Sequence, residues 1–371
     1  MKSTFHTLAF VTPSTNNARN EFDFIMKLNL RPFALQLANP WKIASSEGSS
    51  NHTVVIFELT DDDGTIGLGE AAPASTYRET ANGVMDYCHN LDVSKLSFAD
   101  VRGTMTWLES LHGIPAAARC GLNIALVDGA AKRANKPVYD FLGLGFREKH
   151  HVTSFSIGID SPDIIRKKVL AAANYPVLKL KVGDPRDREN FAALRSVAPN
   201  KPVRVDANEG WKTKEHALEM LELLAQDGHI QFVEQPMPRN TSPKDLTWLK
   251  ERSPLPLFAD ESCHTVRDIP HCAECYHGVN VKLVKTGGIT MAYDTLQAAR
   301  KAGLKTMIGC MIETSVLISA AAHLAELADH LDIDGNLLTT NDPFIGVTAE
   351  RGILSFAGAE AATGLRVSSR T

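Results

Sequence analysis

The chain has 371 residues, 44% of them hydrophobic and 22% charged, a composition suited to one large globular domain with a smaller one. A net charge of −4 without a clustered basic face argues against a nucleic-acid surface, and no apolar run nears the roughly 20 residues that would cross a bilayer. The apolar patch Leu8–Val11, broken by Pro13, is too weak for a signal peptide, and six scattered cysteines fit a reducing compartment, so cytoplasm is the expected location.

Residues 1–25 are polar and aperiodic and read as a poorly ordered extension, or as an over-long translation start before Met26. Leu28–Leu37 and Thr53–Leu59 read as strands, the second rich in β-branched residues. Asp61-Asp-Asp-Gly64 is a hairpin turn signal, with the chain returning through Ile66–Glu70. Helical periodicity covers about 78–93 and 98–110, and Ala116–Ala134 is apolar all round, as a buried helix would be. Residues 26–148 therefore predict an α+β domain.

At His150 the rhythm changes. Val152–Ile159, Val177–Val182, Val203–Val205, Ile230–Val233, Leu257–Ala259, Val279–Val284 and Lys305–Ile308 are short apolar runs, each followed by a helical stretch. Strand and helix alternating about every 25 residues predicts βαβ units, hence an α/β fold with a parallel sheet closing into a (β/α) barrel over 149–345. No glycine-rich nucleotide turn follows any strand, which disfavours an open doubly wound sheet.

Charged residues end these runs: Lys179 and Lys181, then Asp206, Glu234, Asp260 and Lys282. From Lys181 the spacings are 25, 28, 26 and 22 residues, one βα unit each. In a barrel such positions converge on the carboxyl ends of the strands. Three carboxylates with no histidine or cysteine among them suit a hard cation such as Mg²⁺; taken singly, each acid could equally end a strand or cap a helix. Lys179 and Lys181 share a strand face, and as neighbouring like charges they are expected to depress each other's pKa toward that of a base. Lys282, four strands further round, would face a substrate from the other side.

These residues resemble the enolase superfamily, and within it the muconate-lactonizing-enzyme subgroup, over about residues 27–371; the block Asn280–Ile289 is especially typical. The resemblance implies a modified TIM barrel under an N-terminal α+β capping domain, with segment 346–371 returning to the cap. It implies Lys181 and Lys282 as an acid/base pair and Lys179 as support for Lys181 and the substrate carboxylate. It also implies Asp206, Glu234 and Asp260 as ligands of one Mg²⁺, with Mn²⁺ able to substitute. In dipeptide epimerases of this subgroup an Asp-x-Asp similar to Asp332-Ile-Asp334 binds the substrate's α-ammonium group. Two carboxylates aimed into a cleft suit a cation, although Asp334-Gly335 is also ordinary turn chemistry and Asp332 could cap a helix. Glu313 is expected to bind or position substrate, and Asp342 to lie near the mouth.

Epimerases acting on L-Ala-L-Glu tend to carry an arginine in the loop that corresponds to Pro40–His52. None is present here; Lys42 or His52 would have to serve, and Glu47 hints at neutral or cationic side chains. The second cap loop, Ala71–Tyr77, is expected to close over the substrate. His271-Cys-Ala-Glu-Cys275 is a single Cys-x-x-Cys, a weak zinc signal. The expected activity is Mg²⁺-dependent epimerisation at the C-terminal α-carbon of a dipeptide, in a homo-oligomer. Muconate cycloisomerisation and dehydration to o-succinylbenzoate are the alternatives on the same scaffold, and a non-catalytic ligand-binding barrel is the reading from another class.

Overall fold

The computed structural model describes residues 26–44 and 46–370. The expectations for residues 1–25 and for the Glu47 side chain lie outside the described residues. Strands β1 (Lys27–Ile43), β2 (Ser46–Thr60) and β3 (Ile66–Ala71) form an antiparallel sheet in that order. The Asp61–Gly64 turn is closed by Asp61 N donating to Thr65 O (3.0 Å) and Gly64 N to Asp61 O (3.0 Å), with Gly64 at φ 79°. β1 and β2 run well past the apolar segments that predict them. Pairs Trp41↔Ser49 and Ile43↔Ser46 continue the ladder, with register irregularities on both sides of Trp41. Cross-strand bonding keeps this polar stretch extended where propensity would not, and the bulges twist it. Ile159 N donates to Lys42 O (3.1 Å), which ties the ribbon to the barrel.

Helices α1 (Ala81–His89) and α2 (Val101–Ser110) start where Thr80 and Asp100 accept from the amides of Gly83 and Gly103. They are shorter than their periodic stretches, and a 3₁₀ turn at Val93–Lys95 takes up part of the difference. Helix α3 (Ala116–Arg133) lies against the sheet and is buried along most of its length. A Cβ on Gly121 would meet the Phe57 ring at 2.6 Å, so the glycine is required by the close packing of helix on sheet.

The barrel strands are β4 (Phe155–Ile157), β5 (Leu178–Lys181), β6 (Val203–Asp206), β7 (Ile230–Glu234), β8 (Leu257–Ala259), β9 (Gly278–Lys282), β10 (Lys305–Gly309) and β11 (His330–Asp332). They pair in chain order, all parallel. A parallel bridge between Thr153 and Leu331, with Ser154 N donating to Leu331 O (3.1 Å), brings the first strand against the last, so the barrel is nearly closed. Val279–Val284 does not continue as one strand; the chain turns helical at Leu283–Thr286, directly after Lys282.

Two buried polar groups lock the cap to the barrel. Glu70, in β3, accepts from Thr314 and Leu317 at the start of the helix Ser315–Ala322. Asn123, in α3, donates to Thr290 Oγ1 and accepts from Thr290 N. The C-terminal stretch returns to the cap, with Leu365 N donating to Asp128 Oδ1 (2.7 Å). Among the described residues no helix is long and apolar enough to cross a membrane.

Candidate active site

The strand register puts the predicted charges in one layer. Lys181 is level with Asp206, Asp206 with Glu234, and Gly309 with both Lys282 and Asp332; Asp260 follows β8 directly. The backbone turns sharply just beyond the carboxylates. Asn208 (φ 42°), Glu209 (φ 66°) and Gln235 (φ 36°) occupy the left-handed region without being glycine, a conformation that costs about 1–3 kcal/mol and tends to occur at functional sites. The surroundings hold it: Gln235 Oε1 accepts from Asp260 N (2.9 Å) and Ser262 N (3.1 Å), tying the end of β7 to that of β8.

Asp206, Glu234 and Asp260 are fully buried, with one oxygen from each lying within 4.8 Å of the others. Lysines surround them. Lys179 Nζ donates to Asp332 Oδ2 (2.6 Å) and lies 3.0 Å from Asp206 Oδ2 and 2.7 Å from Glu234 Oε2, the last two outside hydrogen-bond geometry. Lys181 Nζ donates to Asp206 Oδ2 (2.6 Å), and Lys282 Nζ to Asp260 Oδ2 (2.8 Å). Buried carboxylates converging from three adjacent strands, all hard oxygen donors, fit a divalent cation such as Mg²⁺.

The expected depression of Lys179 is corrected by this arrangement. Burial pulls Lys179 down, but the carboxylates of Asp206, Asp332 and Glu234 outweigh it and hold the ammonium well above its usual range. At Lys282 burial is likewise outweighed, chiefly by Asp260. The sequence shows Lys179 beside Lys181 but not Asp206, whose Oδ2 lies against both ammonium groups.

Asp332 and Asp334 both line the cavity, and the Asp334 side chain does not cap the following 3₁₀ turn. Asp332 Oδ1 accepts from Ser154 Oγ (2.6 Å), and Asp334 Oδ2 from Ser156 N (2.7 Å). Against burial, Lys179 holds Asp332 down to about 2, whereas burial and the nearby Asp332 charge push Asp334 up to about 7. The cavity, of about 400 Å³, opens between these groups and a roof that includes Trp41, Ile43, His52 and Tyr77 from the cap.

Family comparisons agree with this geometry. The model described as mandelate racemase / muconate lactonizing enzyme, N-terminal domain, matches residues 26–143, and that described as enolase C-terminal domain-like matches 165–345. The chain belongs to this family. An "L-Ala-D/L-amino acid epimerase" of Pedosphaera parvula is 66% identical over 92% of this chain and 99% of its own. The substrate-liganded L-Ala-D/L-Glu epimerase from Bacillus subtilis superposes with a TM-score of 0.86 at 26% identity, covering 94% of this chain and 99% of that one. A dipeptide epimerase from Enterococcus faecalis, complexed with Mg and L-Leu-L-Tyr, gives a TM-score of 0.86 at 28% identity over 93% and 99%. The chain is an isomerase of this family.

Some predicted residues fall elsewhere. Glu313 is fully buried, does not line the cavity, and accepts from Met311 N (2.7 Å). Asp342 accepts from Ser315 N and Oγ, away from the cavity. Cys272 and Cys275 are buried in the helix Ile269–Cys275, and no metal-binding group among the described residues includes them. Other residues were missed. Lys285 Nζ reaches Asp260 Oδ1 at 2.5 Å; its i, i+3 spacing from Lys282 was a signal, visible only if the strand was known to turn helical there. Glu261 and Asn208 line the cavity and are joined by Asn208 Nδ2 donating to Glu261 Oε1 (3.2 Å); their signal was adjacency to Asp260 and Asp206.

Proposed function

We propose that the chain epimerises dipeptides at the α-carbon of the C-terminal residue, by Mg²⁺-dependent 1,1-proton transfer between Lys181 and Lys282. The observation that carries this reading is the placement of those two lysines. They stand on β5 and β9, across the barrel from each other, both lining one cavity, with the three carboxylates on the strands between them. Asp206, Glu234 and Asp260 would hold the cation, which when bound withdraws charge from the substrate carboxylate and acidifies the α-proton. With a cation there, the carboxylate charge that holds Lys282 protonated is offset. One lysine, as the neutral amine, then removes the α-proton from one face, and the other, as an ammonium, delivers a proton to the opposite face, inverting the carbon. Lys179 sits between the acids and Asp332 and positions the reacting carboxylate. Asp332 and Asp334 receive the substrate's ammonium group, and Glu313 supports the wall beside them through Met311.

The names of the relatives support dipeptide chemistry, and the E. faecalis neighbour was solved with both Mg and a dipeptide. Muconate and o-succinylbenzoate chemistry would leave Asp332 and Asp334 facing a substrate without an ammonium group, which disfavours it. The test is α-proton exchange in D₂O followed by NMR over a set of L,L-dipeptides with Mg²⁺. Deuterium should enter at the C-terminal α-carbon together with formation of the epimer. Lys181→Ala should block exchange from one epimer, and Lys282→Ala exchange from the other. Absence of exchange on every dipeptide, with metal bound, would reject the proposal.

A further inference from the structure

The cavity has two unlike ends. At the barrel end every lysine is matched to a carboxylate: Lys179 to Asp332, Lys181 to Asp206 and Lys282 to Asp260. Toward the cap the lining combines the half-buried apolar side chains of Leu37, Trp41, Ile43, Met311, Ile312 and Leu338 with uncharged polar ones such as Ser49, Asn51 and Thr76. The charged residues that line the cavity, Lys179, Lys181, Glu261, Lys282, Asp332 and Asp334, all belong to the barrel, and among the described residues the cap contributes none. Lys42, the nearest cation in sequence, opens instead into an adjoining cleft with Asp160 and Arg186.

One polar group in the apolar wall lacks a partner. His52, on β2 opposite Leu35, lines the cavity, and its Nε2 is out of contact with solvent and without a hydrogen-bond partner among the described residues. A buried polar atom left unpaired is costly, and such atoms commonly mark a place where a ligand completes the bonding. Burial also lowers the imidazole's pKa, so the ring is neutral and offers no countercharge. A neutral imidazole nitrogen can donate or accept according to its tautomer.

We infer that the residue undergoing epimerisation carries an uncharged side chain, and that His52 is the specificity-determining residue that favours side chains bearing an amide or hydroxyl. The inference rests on the epimerase reading above and names its substrate class. A carboxylate or ammonium side chain would lose its hydration there and find no countercharge among the described residues of the cap. An aliphatic chain fits the apolar wall, and a neutral polar one gains the bond to Nε2.

The experiment is a steady-state comparison of L-Ala-L-Leu, L-Ala-L-Gln, L-Ala-L-Glu and L-Ala-L-Lys with Mg²⁺, on the unaltered enzyme and on His52→Phe. L-Ala-L-Gln and L-Ala-L-Glu are nearly isosteric, so their ratio reads the effect of charge. We expect kcat/KM for the glutamate and lysine dipeptides to lie at least ~100-fold below that for the glutamine dipeptide. His52→Phe should lower glutamine turnover ~5–10-fold while leaving leucine within ~3-fold. Turnover of either charged dipeptide within ~10-fold of the glutamine one overturns the charge exclusion, even if the variant does not fold. A fall of equal size for glutamine and leucine in His52→Phe overturns the role of His52. Exchange with no dipeptide at all overturns the epimerase reading, and this inference with it.

Discussion

Glu70 is fully buried where β3 meets the barrel, and its carboxylate accepts from Thr314 N (2.9 Å), Thr314 Oγ1 (2.5 Å) and Leu317 N (3.1 Å). Burial outweighs these donors and pushes the carboxyl up from 4.5 to about 7. A folded-state value above the unfolded one means that the folded chain holds the proton more tightly. The resulting stability is therefore fully present below pH 4.5 and is lost as the pH rises through 7. At about 1.4 kcal/mol per pH unit the difference amounts to roughly 3 kcal/mol. Glu70→Gln keeps a carbonyl acceptor and abolishes the titration, but turns an amide N–H₂ toward backbone donors, at a cost of about 1–3 kcal/mol. Urea unfolding of both proteins at pH 5, 6, 7 and 8, in one Mg²⁺-containing buffer, gives the gap between them at each pH. The variant should be the less stable at pH 5, and the gap should narrow by roughly 2–3 kcal/mol by pH 8. A gap that stays constant within ~0.5 kcal/mol, or widens, would refute the reasoning.

Mg²⁺ at about 100 times its dissociation constant should stabilise the fold by about 2.7 kcal/mol and raise the melting temperature by a few degrees. Asp260→Asn should abolish that rise, and equal melting of the unaltered protein in Mg²⁺ and in EDTA would count against the carboxylate site. Asp332→Asn keeps the shape but removes the charge expected to face the substrate ammonium, so kcat/KM for a dipeptide should fall ~100-fold; a change below ~3-fold would favour a substrate without an ammonium group.

Much of the site was legible because a βα unit has a narrow length. Spacings of 22 to 28 residues between Lys181, Asp206, Glu234, Asp260 and Lys282 could be laid onto successive strands without knowing any contact. What escaped depends on partners distant in sequence. β1 reaches Ile43 because β2 offers it a ladder, although the apolar run that predicts the strand ends at Leu37. Glu313 follows a barrel strand as Asp332 ends one, yet its carboxyl turns back to its own loop at Met311 N, a choice set by backbone geometry beyond any periodicity. His52 could be named as a candidate from its loop position. Its unpaired nitrogen and uncharged surroundings appear only when the ribbon is folded over the barrel.

The lysines also decide which acids at the barrel mouth remain ionised. Asp206, Asp260 and Asp332 are buried as deeply as their neighbours, yet each has an ammonium hydrogen-bonded to it and is held below the usual carboxylate range. Glu234 and Asp334 have no hydrogen bond from a lysine. Burial, together with the nearby charges of Asp206 and Asp332 respectively, pushes each up to about 7. Glu261, beside Asp260, is pushed up to about 8 in the same way. Of these three poorly compensated acids, Glu234 lies in the carboxylate cluster and Asp334 in the Asp-x-Asp pair, the two places where the proposed reaction brings in a positive charge. A cation entering at either place favours the ionised acid, so near neutral pH binding there is coupled to proton loss. Four lysines alone do not balance this end of the barrel, and an arriving dication and ammonium supply what they leave over.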